Sequence, residues 1–188
     1  VRTALKLLNP KISFNAAREP YDGASAVVAV PFNRFLRGNA PDRSNRGIAV
    51  AARKFCEEYG LPFFGQFEQA SQLEPILGTD RVHAFPSADG EWVQTHRLLR
   101  WIAEQLKERG LGTKVILIGH PHHVRRVKIL AEHFGLDPII PAYCNEIMYD
   151  SRDRPGAQWW CKSAWVYIPW EFLLARPKLF LDDLRGAL

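Results

Sequence analysis

The run Val115-Ile116-Leu117-Ile118, closed by Gly119 and followed at once by Pro121, constrains this chain more than any other segment. Four branched or apolar residues in a row suit a strand buried on both faces, as in a parallel sheet covered by helices. Proline is tolerated in a first helical turn. The spacing therefore predicts a strand that passes directly into a helix, which continues through Ile129 and Leu130 to Phe134 and ends at Gly135.

The same alternation recurs along the chain. Ala26–Val30 reads as a buried strand between Gly23 and Pro31, followed by a basic loop from Asn33 to Arg43. Asp42 or Ser44 can cap the next helix, which runs to about Tyr59 and stops at Gly60. A second strand is expected over 62–67, a short helix or turn over 69–77 and a third strand over 82–85. Gly90 opens a helical stretch in which Trp92, Leu98, Leu99, Ile102 and Leu106 form an apolar stripe, ending at Gly110 and Gly112. A last short strand is expected at 138–141, then a polar loop over 143–158. An aromatic-rich helix follows over 159–174, kinked or divided at Pro169.

Strands and helices in this order predict βαβ units. The expected fold class is α/β, a three-layer Rossmann-like fold with a mostly parallel sheet of about five strands. At 188 residues, the length fits one domain over 1–188. In such sheets ligands sit beyond the carboxyl ends of the strands, where strand order reverses. That rule directs attention to residues just after Val30, Phe85, Ile118 and Ala142, and makes Asn33 and Gly119 candidate ligand contacts.

Three of the six histidines fall in Gly119-His120-Pro121-His122-His123-Val124-Arg125-Arg126. Helix starts attract anions through their N–H groups and dipole. His123 and Arg126 are three residues apart and share a helical face. Arginine offers a planar fork of donors suited to phosphate or carboxylate, and histidine can donate, accept or carry a proton near neutral pH. His123 and Arg126 are the expected catalytic pair, with His120 and His122 as ligand contacts. A solvated basic first turn fits such a cluster less well, because basic side chains oppose the positive end of a helix dipole.

A second basic helix start is Arg43-Ser44-Asn45-Arg46, preceded by Arg34 and Arg37. If the first and fourth strands are neighbours, both clusters are expected to face one crevice, with Arg43 and Arg46 as contacts. Arg34 and Arg37 serve equally well as a solubilising loop. A third piece is Asp89-Gly90-Glu91-Trp92-Val93-Gln94-Thr95-His96. Gln94 is a polar ligand candidate near a helix start, Glu91 a base or an ordinary first-turn acid, and Trp92 a stacking surface or a core residue.

Other chemistries lack their signatures. No GxGxxG follows the first strand, and there is no Walker A. Gly119-His120-Pro121 carries proline where a hydrolase elbow carries serine. The histidine density is high enough to interest zinc, but no HExxH is present and no Asp lies within the cluster, so no metal ligands are assigned. Cys56, Cys144 and Cys161 are far apart and odd in number, which suits a reducing compartment. The net charge of +5 favours anionic partners but is scattered. It does not form the basic stripe interleaved with aromatics that nucleic-acid binding calls for. No run reaches the length of a membrane span, no signal peptide is visible, and the chain begins with Val1.

Several of these residues resemble a bacterial group, the YdcF/SanA/ElyC-like family, long classed as a domain of unknown function. Val27-Val28-Ala29-Val30 matches its first strand, and Arg46-Gly47-Ile48-Ala49 its arginine followed three residues later by alanine. Val115–Ile118 with His123-Val124-Arg125-Arg126 matches a strand running into a histidine–arginine pair, and Phe134-Gly135-Leu136 with Ile139-Ile140-Pro141 the elements beyond. The chain departs from the family at Pro31-Phe32-Asn33, where glycines are usual, and at Gly119-His120, where Thr and Ser are usual. The resemblance implies a Rossmann-like sheet with an anion pocket and S-adenosylmethionine as a cofactor of some members. Other members are linked to envelope polysaccharide or lipid-carrier metabolism. Anchored members carry extra N-terminal helices, so this chain is expected to be a cytoplasmic one.

Three functions follow as expectations. One is an enzyme processing a phosphate-, pyrophosphate- or nucleotide-like small molecule. The second is a non-catalytic module for S-adenosylmethionine or another nucleotide-like ligand. The third is an interaction protein using Trp159, Trp160, Trp165, Tyr167 and Trp170, residues that otherwise form a helix covering one face of the sheet.

Overall fold

A computed structural model describes residues 21–33, 40–88, 91, 93–152 and 158–184. Arg34, Arg37, Asp89, Gly90 and Trp92 lie outside the described residues.

The elements are β1 (Ala26–Ala29), α1 (Arg43–Tyr59), β2 (Phe63–Gly65), α2 (Phe67–Leu77), β3 (Val82–Ala84), α3 (Thr95–Glu108), β4 (Lys114–Ile118), α4 (Pro121–His133) and β5 (Asp137–Ile139). The tail adds short 3-10 turns at Ala142–Glu146 and Trp159–Cys161, then α5 (Ala164–Trp170), a π-helical turn (Glu171–Ala175) and α6 (Arg176–Leu184).

One five-stranded parallel sheet has the order β3-β2-β1-β4-β5. This is the α/β three-layer Rossmann-like arrangement that the alternation predicts. β1 and β4 lie side by side in the register Ala26–Val115 to Ala29–Ile118. The chain runs outward from β1 through β2 to β3, then crosses back to β4. The reversal point therefore falls between β1 and β4, and a crevice opens beyond their carboxyl ends. α1 packs with α2, and α3 with α4.

Packing follows from the apolar pattern. All four residues of β1, and Val115 to Ile118 of β4, are fully buried. Ile48, Ala52, Phe55 and Cys56 of α1, and Leu98, Leu99, Ile102 and Leu106 of α3, pack toward them. Gly60, Gly110 and Gly135 follow three helices with φ near +66°, +66° and +80°, a region where a Cβ is penalised. Gly65 is required for a different reason. A Cβ there would sit 2.6 Å from the Phe63 ring and 2.9 Å from the Ala29 carbonyl oxygen, so glycine lets β2 end close against β1.

Two expectations change. The helix expected from Gly90 begins, among the described residues, at Thr95. The tail helix expected over 159–174 begins at Ala164, after a 3-10 turn, and runs on to Leu184; the division expected at Pro169 falls just beyond it, where α5 widens into the π turn before resuming as α6. The aromatic tail is divided in role. Tyr167 is buried, Trp160 and Trp170 are half-buried, and Trp165 is 91% exposed. Among the described residues, no helix is long and apolar enough to cross a membrane.

Candidate functional site

The crevice is built first by the chain leaving β1. Phe32 N donates to Asn45 Oδ1 at 3.2 Å, and Asn45 Nδ2 donates to the Asn33 carbonyl and to Asp42 Oδ2. Gln69 Nε2 donates to the same Asn45 oxygen at 2.9 Å. Asp42 is the N-cap of α1, accepting from Asn45 N at 2.8 Å. Burial, and then the nearby Asp150 carboxylate, raise the Asp42 pKa above the ordinary value. The tail secures the other side of the loop: Gln158 N donates to Asn33 Oδ1 at 2.8 Å, and Cys161 Sγ donates to the Phe32 carbonyl at 2.9 Å. Backbone polar groups beyond a buried strand need such partners.

The chain leaving β4 supplies the second wall. His120 is the N-cap of α4, and its ring stacks on Phe32 at 3.8 Å and 16°. Its Nδ1 accepts from His122 N at 3.4 Å, while its buried Nε2 has no partner among the described residues. Burial, with His122 adding to it, lowers the His120 pKa to about 3. His122 shares a 2.7 Å hydrogen bond with Tyr149 through Nδ1. Pro121 has no N–H, and the amides of His123 and Val124 both donate to the His120 carbonyl at 2.9 Å. The start of α4 thus has its own acceptors for these amides, so ligand contact here falls to side chains.

His123 is 6% exposed, and neither ring nitrogen has a hydrogen-bond partner among the described residues. Burial drives its pKa well below the usual value, and Arg126 and His120 push the same way. The Pro31 carbonyl opposes them weakly, near the ring but outside hydrogen-bond geometry. His123 is therefore a neutral imidazole at neutral pH.

One turn on, Arg126 is 8% exposed. Its Nε donates to both oxygens of Glu171, at 2.9 and 3.1 Å. Glu171 also accepts from Tyr167 Oη at 3.0 Å and Arg176 Nε at 3.2 Å. Burial alone would lower the Arg126 pKa, but the Glu171 carboxylate outweighs it, and the guanidinium stays charged. Both hydrogen bonds to Glu171 run through Nε. The Tyr167 hydroxyl also lies against the guanidinium.

These groups face a cleft of about 80 Å³. Asn33, His123 and Arg126 line it, with Gln66, Glu68, Glu91, Thr95 and the stacked indoles of Trp160 and Trp170. A neighbouring hollow of about 290 Å³ shares Val93, Thr95, Arg126 and Trp170 and adds Gln94 and Lys178.

The structure brings Asn33, His123 and Arg126 together and puts Gln94 beside them. Gly119 and His120 sit behind the cleft, and His122 turns to Tyr149. Arg43 and Arg46 do not join it. Both are exposed, because the first turn of α1 directs its short polar side chains inward and leaves the long cations in water. Arg43 contributes its backbone amide instead, donating to Asp150 Oδ2 at 2.8 Å. The expected meeting of two basic helix starts is therefore replaced by one basic helix face and a neutral polar network around Asn45. Sequence reasoning missed Glu171, although it is the one acid in the aromatic stretch 159–174.

Among the described residues, no group of three or more His, Cys, Asp or Glu could hold a metal ion. Burial pushes the Cys144 thiol up to about 12 and raises that of Cys161 further. No family model matches the chain, and no curated protein or solved structure does either.

Proposed function

We propose that this chain binds a phosphate-bearing, nucleotide-like small molecule in the β1–β4 crevice and acts on its phosphoryl group. One observation carries the reading: a buried imidazole, neither of whose nitrogens has a hydrogen-bond partner among the described residues, lines the same cleft as the Arg126 guanidinium. Unmet buried polar atoms cost free energy and mark a place where a ligand supplies the partner. A phosphate oxygen matches the fork of Arg126. The negative charge raises the His123 pKa toward neutrality, so His123 takes up a proton and gives it to the leaving oxygen as that oxygen's bond to phosphorus breaks and an attacking water forms the new P–O bond. The paired indoles of Trp160 and Trp170 give a flat apolar wall for a base or sugar ring. Glu68 and Gln66, just beyond β2, stand where nucleotide-binding sheets place acceptors for ribose hydroxyls.

A second reading is binding without turnover, with S-adenosylmethionine among the ligands. It is favoured by Cys161, the thiol in the cleft lining, which burial keeps protonated and so deprives of nucleophilic character. A thermal-shift screen of phosphate, nucleotides, sugar nucleotides and S-adenosylmethionine, followed by chromatography of the stabilising ligand, separates the two. Consumption of a phosphorylated ligand supports the enzyme, and stabilisation by an unconsumed ligand supports the module. No stabilisation by any phosphorylated compound contradicts the first reading.

A further inference from the structure

The first turn of α3 reaches the same cleft from the side opposite in sequence to the histidines, and its donors are unused. Thr95 opens this fourteen-residue helix and lines both the cleft and the neighbouring hollow. The N-cap, Gln94, has extended backbone (φ −72°, ψ 139°) and makes no side-chain cap hydrogen bond. No acidic residue lies in the first turn. The first amide with an acceptor is that of Leu98, to the Gln94 carbonyl at 3.2 Å, so those of Thr95, His96 and Arg97 take none among the described residues. By contrast, α1 is capped by Asp42 and α4 by His120.

An uncapped helix start is ordinary when it faces water. Here Thr95 lines the same cleft as Arg126 and His123, the latter more than nine-tenths buried with neither ring nitrogen hydrogen-bonded among the described residues. Arg126 borders both hollows and stands between the two donor sets. A single phosphate seated on Arg126 and His123 leaves the α3 amides unanswered. A second charged group joined to the first through a bridging oxygen answers them, since helix N-termini favour anions. The lining also contains the carboxylates of Glu68 and Glu91, the latter paired with Arg97 at 3.1 Å. These weigh against a still longer polyphosphate.

We infer that the ligand is a diphosphate, with one phosphoryl group on His123 and Arg126 and the other on the N-terminus of α3. The inference rests on the anion reading of the cleft given above and deepens it.

Calorimetric titration of the whole chain with inorganic phosphate and with pyrophosphate, both in EDTA, tests it. Pyrophosphate is expected to bind at least about tenfold more tightly, equivalent to about 1.4 kcal/mol. Gln94→Asp places a carboxylate over the free amides and should bring the ratio of affinities close to one. Gln94→Asn caps the same amides without charge and should lower the ratio by about threefold, equivalent to roughly 0.6 kcal/mol. Both are good caps at an exposed position, so the fold is retained and a raised melting temperature confirms that the amides are occupied. Equal affinities in the unaltered chain overturn the diphosphate inference and leave the anion reading standing. A ratio that falls for Asp but not for Asn also overturns it, because charge alone then explains the effect. Binding of neither anion overturns both.

Discussion

Acidification from about pH 7.5 to about pH 5 should cost the folded chain about 2 kcal/mol through His120 alone. The ring is fully buried between Phe32 and Tyr149, and its Nε2 has no acceptor, so a proton there creates a buried cation without a partner. The folded-state pKa is about 3, against 6.5 for an ordinary histidine. Because the folded value is the lower one, the unfolded chain binds more protons between the two values. Stability from this group is intact above about 6.5 and is lost progressively as the pH falls toward 3. At about 1.36 kcal/mol per unit, the roughly 1.5 units between 6.5 and 5 give the figure above. Urea denaturation of the chain and of His120→Asn at both pH values isolates it. Asparagine remains a good N-cap but does not titrate. The variant should be less stable at pH 7.5, having lost the Phe32 stack, and its loss on acidification should be smaller by about 2 kcal/mol. Equal losses in the two proteins would show that His120 does not carry the acid sensitivity.

Glu171→Gln removes the carboxylate shared by Arg126, Arg176 and Tyr167, and should cost about 3–5 kcal/mol in chemical denaturation, the usual effect of stripping a buried cation of its partner. Gly65→Ala drives a methyl group against the Ala29 carbonyl and the Phe63 ring; a loss of roughly 1–3 kcal/mol is expected, and an unchanged denaturation midpoint would contradict the close approach of β2 to β1. Anion binding should draw a proton onto His123, because a bound negative charge raises a pKa that burial holds low. Affinity should then strengthen as the pH falls through the bound-state value. Calorimetry in buffers of differing ionisation heat should show net proton uptake, which His123→Gln abolishes.

The sheet was legible because its strongest signals are local. Val115–Ile118 is short, apolar and bounded by Gly119 and Pro121, and the glycines expected to stop three helices at 60, 110 and 135 all take positive φ. The pairing of His123 with Arg126 was legible for the same reason, since a three-residue separation fixes a shared helical face. The fate of Arg43 and Arg46 was not. Spacing shows that two side chains share a face but not which way the face turns, and Asp42 and Asn45 won the inward direction by satisfying the chain at Phe32 and Asn33. The Arg126–Glu171 pair spans 45 residues and depends on a π turn that sets the acid's direction, so no local pattern announces it. The Trp160–Trp170 wall depends on the same tail folding back across the crevice.

Anion binding at this site requires His123 and Arg126 to hold one anion at the carboxyl ends of β1 and β4. Magnetic resonance of the imidazole and guanidinium nitrogens during titration with inorganic phosphate addresses this directly. The ring nitrogens of His123 and the terminal nitrogens of Arg126 should shift together and saturate at one midpoint, while His133, at the far end of α4, stays still. Saturable phosphate binding that leaves the His123 and Arg126 signals unmoved would contradict the account.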